Sequence, residues 1–223
     1  VQGKPMPIPS LSLEEAKALQ WNAPAYLSAL GMHLAIPRGR LYKDEYVRYG
    51  VSADSADVAF TYRLVDGKNI PLHGYAQLSI GLRHHPVEDS TKYYIATLSP
   101  RGKASYVGGT YRNGAMHAHV RAIASYTVKV DTTPPRIIPV RPNTWGRKGR
   151  IVLKVSEKQS GLVRYRATID GAYALMGKPN SVNGLLVCEL DPRHVKRGRK
   201  HVLRVEVEDG CGNVSREAYD FVW

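Results

Sequence analysis

The sequence is poor in cysteine and has no long apolar segment. Its two cysteines, Cys188 and Cys211, permit one disulfide, and the sequence alone leaves open whether they pair. No stretch approaches the roughly 18 apolar residues of a membrane-spanning helix, so we expect no membrane span. The motifs Gly-x-Ser-x-Gly and Gly-x-Gly-x-x-Gly and the phosphate loop are missing, which leaves a serine hydrolase or a nucleotide-binding enzyme without support.

Acidic residues are also scarce, because 19 Asp and Glu face 32 Lys and Arg, for a net charge of +13. A hydrophobic content of 43% is sufficient for a packed core. A basic surface attracts nucleic acid, anionic lipid or anionic wall polymers. No helix-turn-helix pattern, zinc-finger spacing or RNP-like aromatic motif is present, so nucleic acid is not the expected partner. No motif predicts a cofactor.

Apolar and polar residues alternate along fifteen positions near the middle of the chain, from Met116 to Val130. A period of two predicts a β-strand with one buried and one solvated face. The stretch Asp131–Pro135 then ends the pattern, because its two prolines offer no N–H to a sheet. We interpret this stretch as the junction between two β domains.

Many further short strand signals are separated by Gly, Pro and Asn turns, which is typical of β-sandwiches. Near the N-terminus, Ser12 and Glu15 form a capping-box pattern that predicts a short helix to about Gln20. The predicted fold is therefore all-β, with two consecutive β-sandwich domains and a short N-terminal helix. We expect a lead-in and helix over residues 1–30, a first sandwich over 31–130 and an immunoglobulin-like sandwich over 131–223.

One motif suggests metal chemistry. His117 and His119 are two residues apart on the predicted strand, so both side chains lie on one face and could bind one zinc ion. Catalytic zinc needs a third protein ligand, and the sequence nominates none. The favoured interpretation is a pair of solvated histidines, and a zinc hydrolase is kept as an alternative.

Two sets of residues are candidates for binding. Clustered cations in predicted loops of the second domain raise the local concentration of anions. They are Arg147, Lys148, Lys196, Arg197, Arg199 and Lys200. Tyrosines in the first domain offer an alternative, a stacking platform for sugar rings in a carbohydrate-binding or adhesin module. They are Tyr93, Tyr94, Tyr106 and Tyr111.

Several strings of residues resemble known families. Asp131–Ile137 resembles the opening of many bacterial extracellular immunoglobulin-like modules, and Glu208–Val214 resembles the turn before their last strand. Residues 32–223 together are similar to the region that follows the peptidase domain in some LytM-like (lysostaphin-type) envelope zinc endopeptidases. The strings that carry this second likeness include Ile36–Tyr42, Ile70–His73 and Tyr106–Gly109.

The resemblance implies a non-catalytic accessory region in the bacterial envelope, periplasmic or at the cell surface. Such a region would position a peptidoglycan hydrolase, or bind wall polymer or an envelope protein, with a peptidase domain in the same parent chain as a further partner. Catalytic domains of that family also carry a His-x-His motif. Their site needs an upstream His-x-x-x-Asp pair in glycine-rich surroundings, and His117 and His119 lie beside the domain junction, so no zinc ligand is carried over.

Overall fold

The computed structural model describes residues 12–177 and 184–223, which form two compact units. The first unit extends to Asp131 and the second begins at Thr132, at the start of the double-proline stretch. Each unit has its own cluster of buried apolar side chains. No helix in these two described ranges has the length and apolar character needed to cross a membrane.

The first unit is built from strands. They are β1 (Ser12–Leu13), β2 (Lys17–Leu19), β3 (Ala25–Ala29), β4 (Met32–Ile36), β5 (Glu45–Val47), β6 (Tyr49–Ser52), β7 (Thr61–Leu64), β8 (Ile70–Gly81), β9 (Tyr93–Leu98), β10 (Ala104–Gly108), β11 (Thr110–Arg112), β12 (Ala115–Ile123) and β13 (Tyr126–Val130). A 3₁₀ turn, Ser90–Lys92, precedes β9.

These strands form two main antiparallel sheets. One has six strands in the order β1-β6-β7-β13-β9-β10, and the other has five in the order β11-β12-β8-β4-β3, while β2 pairs with β5. Alternate residues of both sheets enter one core, for example Tyr62 and Tyr126 from the first and Leu78 from the second. Both tyrosines donate their hydroxyls to backbone carbonyls, Tyr62 to Leu30 at 2.7 Å and Tyr126 to Ala122 at 2.6 Å.

The predicted N-terminal helix is wrong. Residues Lys17–Leu19 pair as a strand with Glu45–Val47, and the backbone N–H of Glu14 donates to the carbonyl of Tyr49. A helix of about nine residues is marginal in water without a packed apolar face. Here only Leu19 of β2 is buried, so pairing with strands from elsewhere in the chain prevails over the local capping signal.

The long alternating stretch is also not one strand. It divides into β12, in the five-stranded sheet, and β13, in the six-stranded sheet, on either side of the buried residues Ala124 and Ser125. The Ser125 hydroxyl oxygen accepts a hydrogen bond from the N–H of Leu64 at 3.0 Å, which ties the bend to β7. Strands that pass from one sheet to the other in this way form the corners of a sandwich.

The second unit has two smaller antiparallel sheets, ordered β14-β15-β18 and β17-β16-β19-β20. Their strands are β14 (Arg136–Pro139), β15 (Arg150–Ser156), β16 (Leu162–Ile169), β17 (Ala172–Tyr173), β18 (Leu185–Glu189), β19 (Lys200–Asp209) and β20 (Val214–Val222). A 3₁₀ turn, Pro142–Thr144, leads into helix α1 (Trp145–Lys148). The predicted all-β, sandwich-type fold is confirmed. Within residues 12–177 and 184–223 the one short α-helix belongs to the second unit, and none is found at the predicted position near Ser12.

Candidate binding surfaces

Both basic stretches of the second unit meet the same residue, Trp223. The backbone N–H of Arg199 donates to the carbonyl of Trp223 at 3.3 Å, and the N–H of Trp223 donates back at 3.2 Å. The guanidinium carbon of Arg197 lies 4.9 Å from the centroid of the indole ring, a cation–π contact. The 196–200 stretch is therefore attached to the end of β20.

Helix α1 brings the other basic stretch to the same place. A Cβ atom added to Gly146 would overlap the carbonyl oxygen of Val222, so the helix backbone packs directly on the last strand. A Cβ on Gly149 would lie 3.8 Å from the indole nitrogen of Trp223. Between these glycines, Arg147 and Lys148 extend into solvent. The helix is anchored by Trp145, which is buried and donates its indole N–H to the Val140 carbonyl at 3.0 Å.

The cations of this region carry uncompensated charge. All six predicted residues are exposed, and among the described residues none of them forms an ion pair. The two basic stretches, residues 147–148 and 196–200, are about fifty positions apart in the sequence, and both lie beside Trp223 in the fold. We call these six residues the basic surface: Arg147, Lys148, Lys196, Arg197, Arg199 and Lys200.

A buried histidine holds the loop that carries much of the basic surface. His201 Nδ1 lies 2.6 Å from the Asp170 carboxylate, and its Nε2 lies 2.7 Å from the carbonyl oxygen of Lys196. Both partners are acceptors, so the imidazolium, with a proton on each nitrogen, donates to both. The hydrogen bond with Asp170 raises the pKa of His201, and the same bond, with one from the Val202 N–H, lowers the pKa of Asp170.

The predicted sugar platform is wrong. Tyr93 and Tyr94 are only 2% and 3% exposed, and as neighbours on β9 they point to opposite faces. The Tyr93 hydroxyl donates to the Val87 carbonyl at 2.7 Å, and the Tyr94 ring packs against Tyr106 with centroids 5.2 Å apart. Sugar rings cannot reach two of the four side chains. The most exposed tyrosines lie elsewhere, at Tyr26, Tyr42, Tyr46, Tyr75 and Tyr173.

The two histidines of the His-x-His motif line a cavity of about 440 Å³ on the outer face of the five-stranded sheet. In the strand register His117 lies opposite Ser79, and Ser79 lies opposite His33. Directly opposed residues share a face of the sheet, so His33 joins the pair. Sequence reasoning missed His33, because only the register of three strands reveals it. The remaining lining residues are Ala35, Gln77, Leu78, Thr110, Arg112 and Ala118.

The family spacing His-x-x-x-Asp does occur once in the chain, at His85 and Asp89, and sequence reasoning missed it. Asp89 caps the 3₁₀ turn before β9, where its carboxylate accepts from the Thr91 N–H at 3.0 Å. His85 Nε2 lies 3.3 Å from the Tyr111 hydroxyl. Neither residue lines the cavity of His117 and His119, so this spacing serves local structure.

Other side chains considered from the sequence are structural. Cys188 and Cys211 are both buried and are not joined in a disulfide, and burial raises the pKa of the Cys188 thiol. The Asp209 carboxylate accepts from the backbone N–H groups of Cys211 and Asn213, each at 2.9 Å, and from the Asn213 side-chain amide at 2.9 Å. Asp209 thereby fixes the turn between β19 and β20.

The strands and these surfaces define an all-β, sandwich-type protein. Residues 16–131, just over half of the chain, match the Zu5-like domain family, and the chain belongs to that family. The matched region ends at the last residue of the first unit and contains the histidine-lined cavity. No curated protein matches the sequence.

Proposed function

We propose that this chain is a non-catalytic binding protein whose second unit holds an anionic polymer. The observation that carries the proposal is the basic surface, six exposed cations without ion-pair partners in the described residues. Cations that are not neutralised by neighbouring carboxylates attract polyanions over distances set by ionic strength, about 8 Å at physiological salt.

The scaffold around the cations supports this role. Arg197 is oriented by the indole of Trp223, and the loop behind it is fixed by the two hydrogen bonds of His201. Arginines held in this manner lose less side-chain entropy when they bind phosphate or carboxylate in bidentate geometry. Holding an anionic polymer breaks no covalent bond. The fixed cations of the basic surface are sufficient for this role.

We propose the bacterial cell envelope, periplasmic or at the cell surface, as the place of action. There the chain would position a peptidoglycan hydrolase or bind wall polymer or an envelope protein, with a peptidase domain in the same parent chain as the candidate partner. The support is the resemblance of Asp131–Ile137 and Glu208–Val214 to extracellular modules, and the wider likeness of residues 32–223 to the LytM-associated region. An anionic wall polymer suits the charge of the basic surface.

The test is retention of the chain on an immobilised polyol-phosphate wall polymer across a salt series. Two double variants, Arg147→Gln with Lys148→Gln and Arg197→Gln with Arg199→Gln, remove charge from each part of the surface. Each cation near a polyanionic surface contributes about 1 kcal/mol, so each pair should weaken binding by roughly 10-fold or more at low salt.

The matched control replaces two exposed lysines of the first unit, Lys68→Gln with Lys103→Gln, and removes the same charge. Equal loss in the control would mean that net charge alone drives retention, and unchanged retention in both surface variants would reject the basic surface. Binding that persists at high salt would also reject the basic surface, because salt screens exposed charges. Tighter binding to duplex DNA than to wall polymer would also reject the proposal.

A further inference from the structure

The histidine-lined cavity of the first unit lies outside the proposed function. The geometry points to a binding site for a divalent transition-metal ion, of the class of Zn²⁺, held by His33, His117 and His119. Imidazole nitrogen suits Zn²⁺, Cu²⁺ and Ni²⁺, whereas Ca²⁺ and Mg²⁺ require oxygen ligands. The five strands that form this sheet contain no Asp or Glu, which disfavours the oxygen-seeking ions.

The strand register places the three histidines at neighbouring positions on one face of the sheet. His33 and His117 are separated by one intervening strand, at Ser79, so their backbones are about 9.5 Å apart. His117 and His119 are two residues apart on β12, about 7 Å along the strand. The small side chain of Ser79 leaves open space between the two outer rings, where the cavity lies.

The hydrogen-bond partners of two rings are compatible with one nitrogen of each ring being available for metal. His117 Nε2 lies 3.3 Å from the Arg112 carbonyl oxygen, to which only a protonated nitrogen can donate, so Nδ1 keeps its lone pair in the neutral ring. His33 Nδ1 lies 3.1 Å from the Ser28 hydroxyl, and in the tautomer whose Nδ1–H donates to that oxygen, Nε2 keeps its lone pair. Metal-binding histidines commonly have such a partner on the second nitrogen.

Binding requires the rings to turn. Within the described residues the donor atoms of the three imidazoles do not all lie within 4.8 Å of one another. Zinc–nitrogen distances of about 2.0–2.1 Å would bring them closer than that. His33 and His119 are exposed and His117 is half-buried, so their side chains have room to rotate. No carboxylate is among the lining residues to act as a general base, so the inference is metal binding and not hydrolysis.

The experiment is titration of the full chain, free of any polyhistidine tag, with ZnCl₂ by isothermal calorimetry, in the absence of polymer. Co²⁺ absorption in parallel reports tetrahedral coordination. The variants His33→Asn, His117→Asn and His119→Asn each remove one ligand, and His194→Asn, an exposed histidine of the second unit, is the control. Circular dichroism confirms that each variant folds.

We expect one Zn²⁺ per chain, with binding at least about 10-fold weaker in each of the three variants and unchanged in the control. Loss of a ligand should cost no less than loss of its outer partner. Absence of saturable binding overturns the site. Binding that survives His33→Asn overturns the three-histidine set, and equal loss in His194→Asn shows nonspecific uptake and also overturns it. Because the polymer is absent, none of these results bears on the basic surface.

Discussion

The hydrogen bonds of His201 predict how the stability of the second unit changes with pH. His201 is 5% exposed and donates to the Asp170 carboxylate and to the Lys196 carbonyl. Because the pKa of His201 is raised in the folded chain, its stabilisation is complete below the ordinary value of about 6.5 and is lost as the pH rises through the raised pKa. The pKa of Asp170 is lowered, so its contribution is present above about 3.9 and is lost as the pH falls through the lowered pKa.

The size of the effect follows from the two bonds. A hydrogen bond from a charged donor to the carbonyl of Lys196, in a partly buried position, contributes about 1.5 kcal/mol. The bond to Asp170 contributes less, about 0.5 kcal/mol, since that carboxylate is half exposed. The variant His201→Gln should therefore lower the free energy of unfolding of the second unit by about 2 kcal/mol near pH 6. At pH 9 the loss should be clearly smaller, because the neutral ring of the native protein donates only one bond.

Urea unfolding followed by tryptophan fluorescence measures this difference. The chain has three tryptophans, of which Trp145 and Trp223 belong to the second unit, so a Trp21→Phe background restricts the signal to that unit. His194→Gln, at an exposed position, is the control and should leave the urea midpoint unchanged at both pH values. An equal loss of stability at pH 6 and pH 9 in His201→Gln would refute the ionic bridge and leave only a packing role.

Two further substitutions test the packing described above. Gly146→Ala should destabilise the second unit by about 2 kcal/mol or more, because the new methyl group meets the Val222 carbonyl, while Lys148→Ala on the same helix should change the urea midpoint little. Tyr126→Phe should cost about 1 kcal/mol in the first unit, since the buried hydroxyl donates to the Ala122 carbonyl at 2.6 Å; an unchanged midpoint would contradict that bond.

The local alternation of apolar and polar residues predicts where strands lie. It does not predict which strands pair with each other. The limits of β4, Met32–Ile36, follow from local signals, because the alternating stretch is short and a proline comes directly after it. The capping box at Ser12 is also local, yet residues 17–19 pair with residues 45–47, a contact that no short window contains. The alternation from Met116 to Val130 likewise persists through a change of sheet, since both sheets share one core.

The candidate sites show the same limit. The residues of the basic surface could be predicted, because charge is read directly from the sequence. Their proximity around Trp223 could not, because it depends on the packing of α1 against β20. The tyrosine platform failed since composition does not tell which ring is buried. His33 was not predictable, because its place beside His117 depends on the register of β4, β8 and β12.

The passage of one segment from β12 to β13 has a mechanical consequence. The same uninterrupted backbone belongs to both layers of the first unit, and the hydroxyl of Tyr126 bridges back across the bend to Ala122. Sliding of one layer over the other would therefore have to distort this bend. A force applied along either layer would be shared by the other, so we expect the unit to resist shear as a single block.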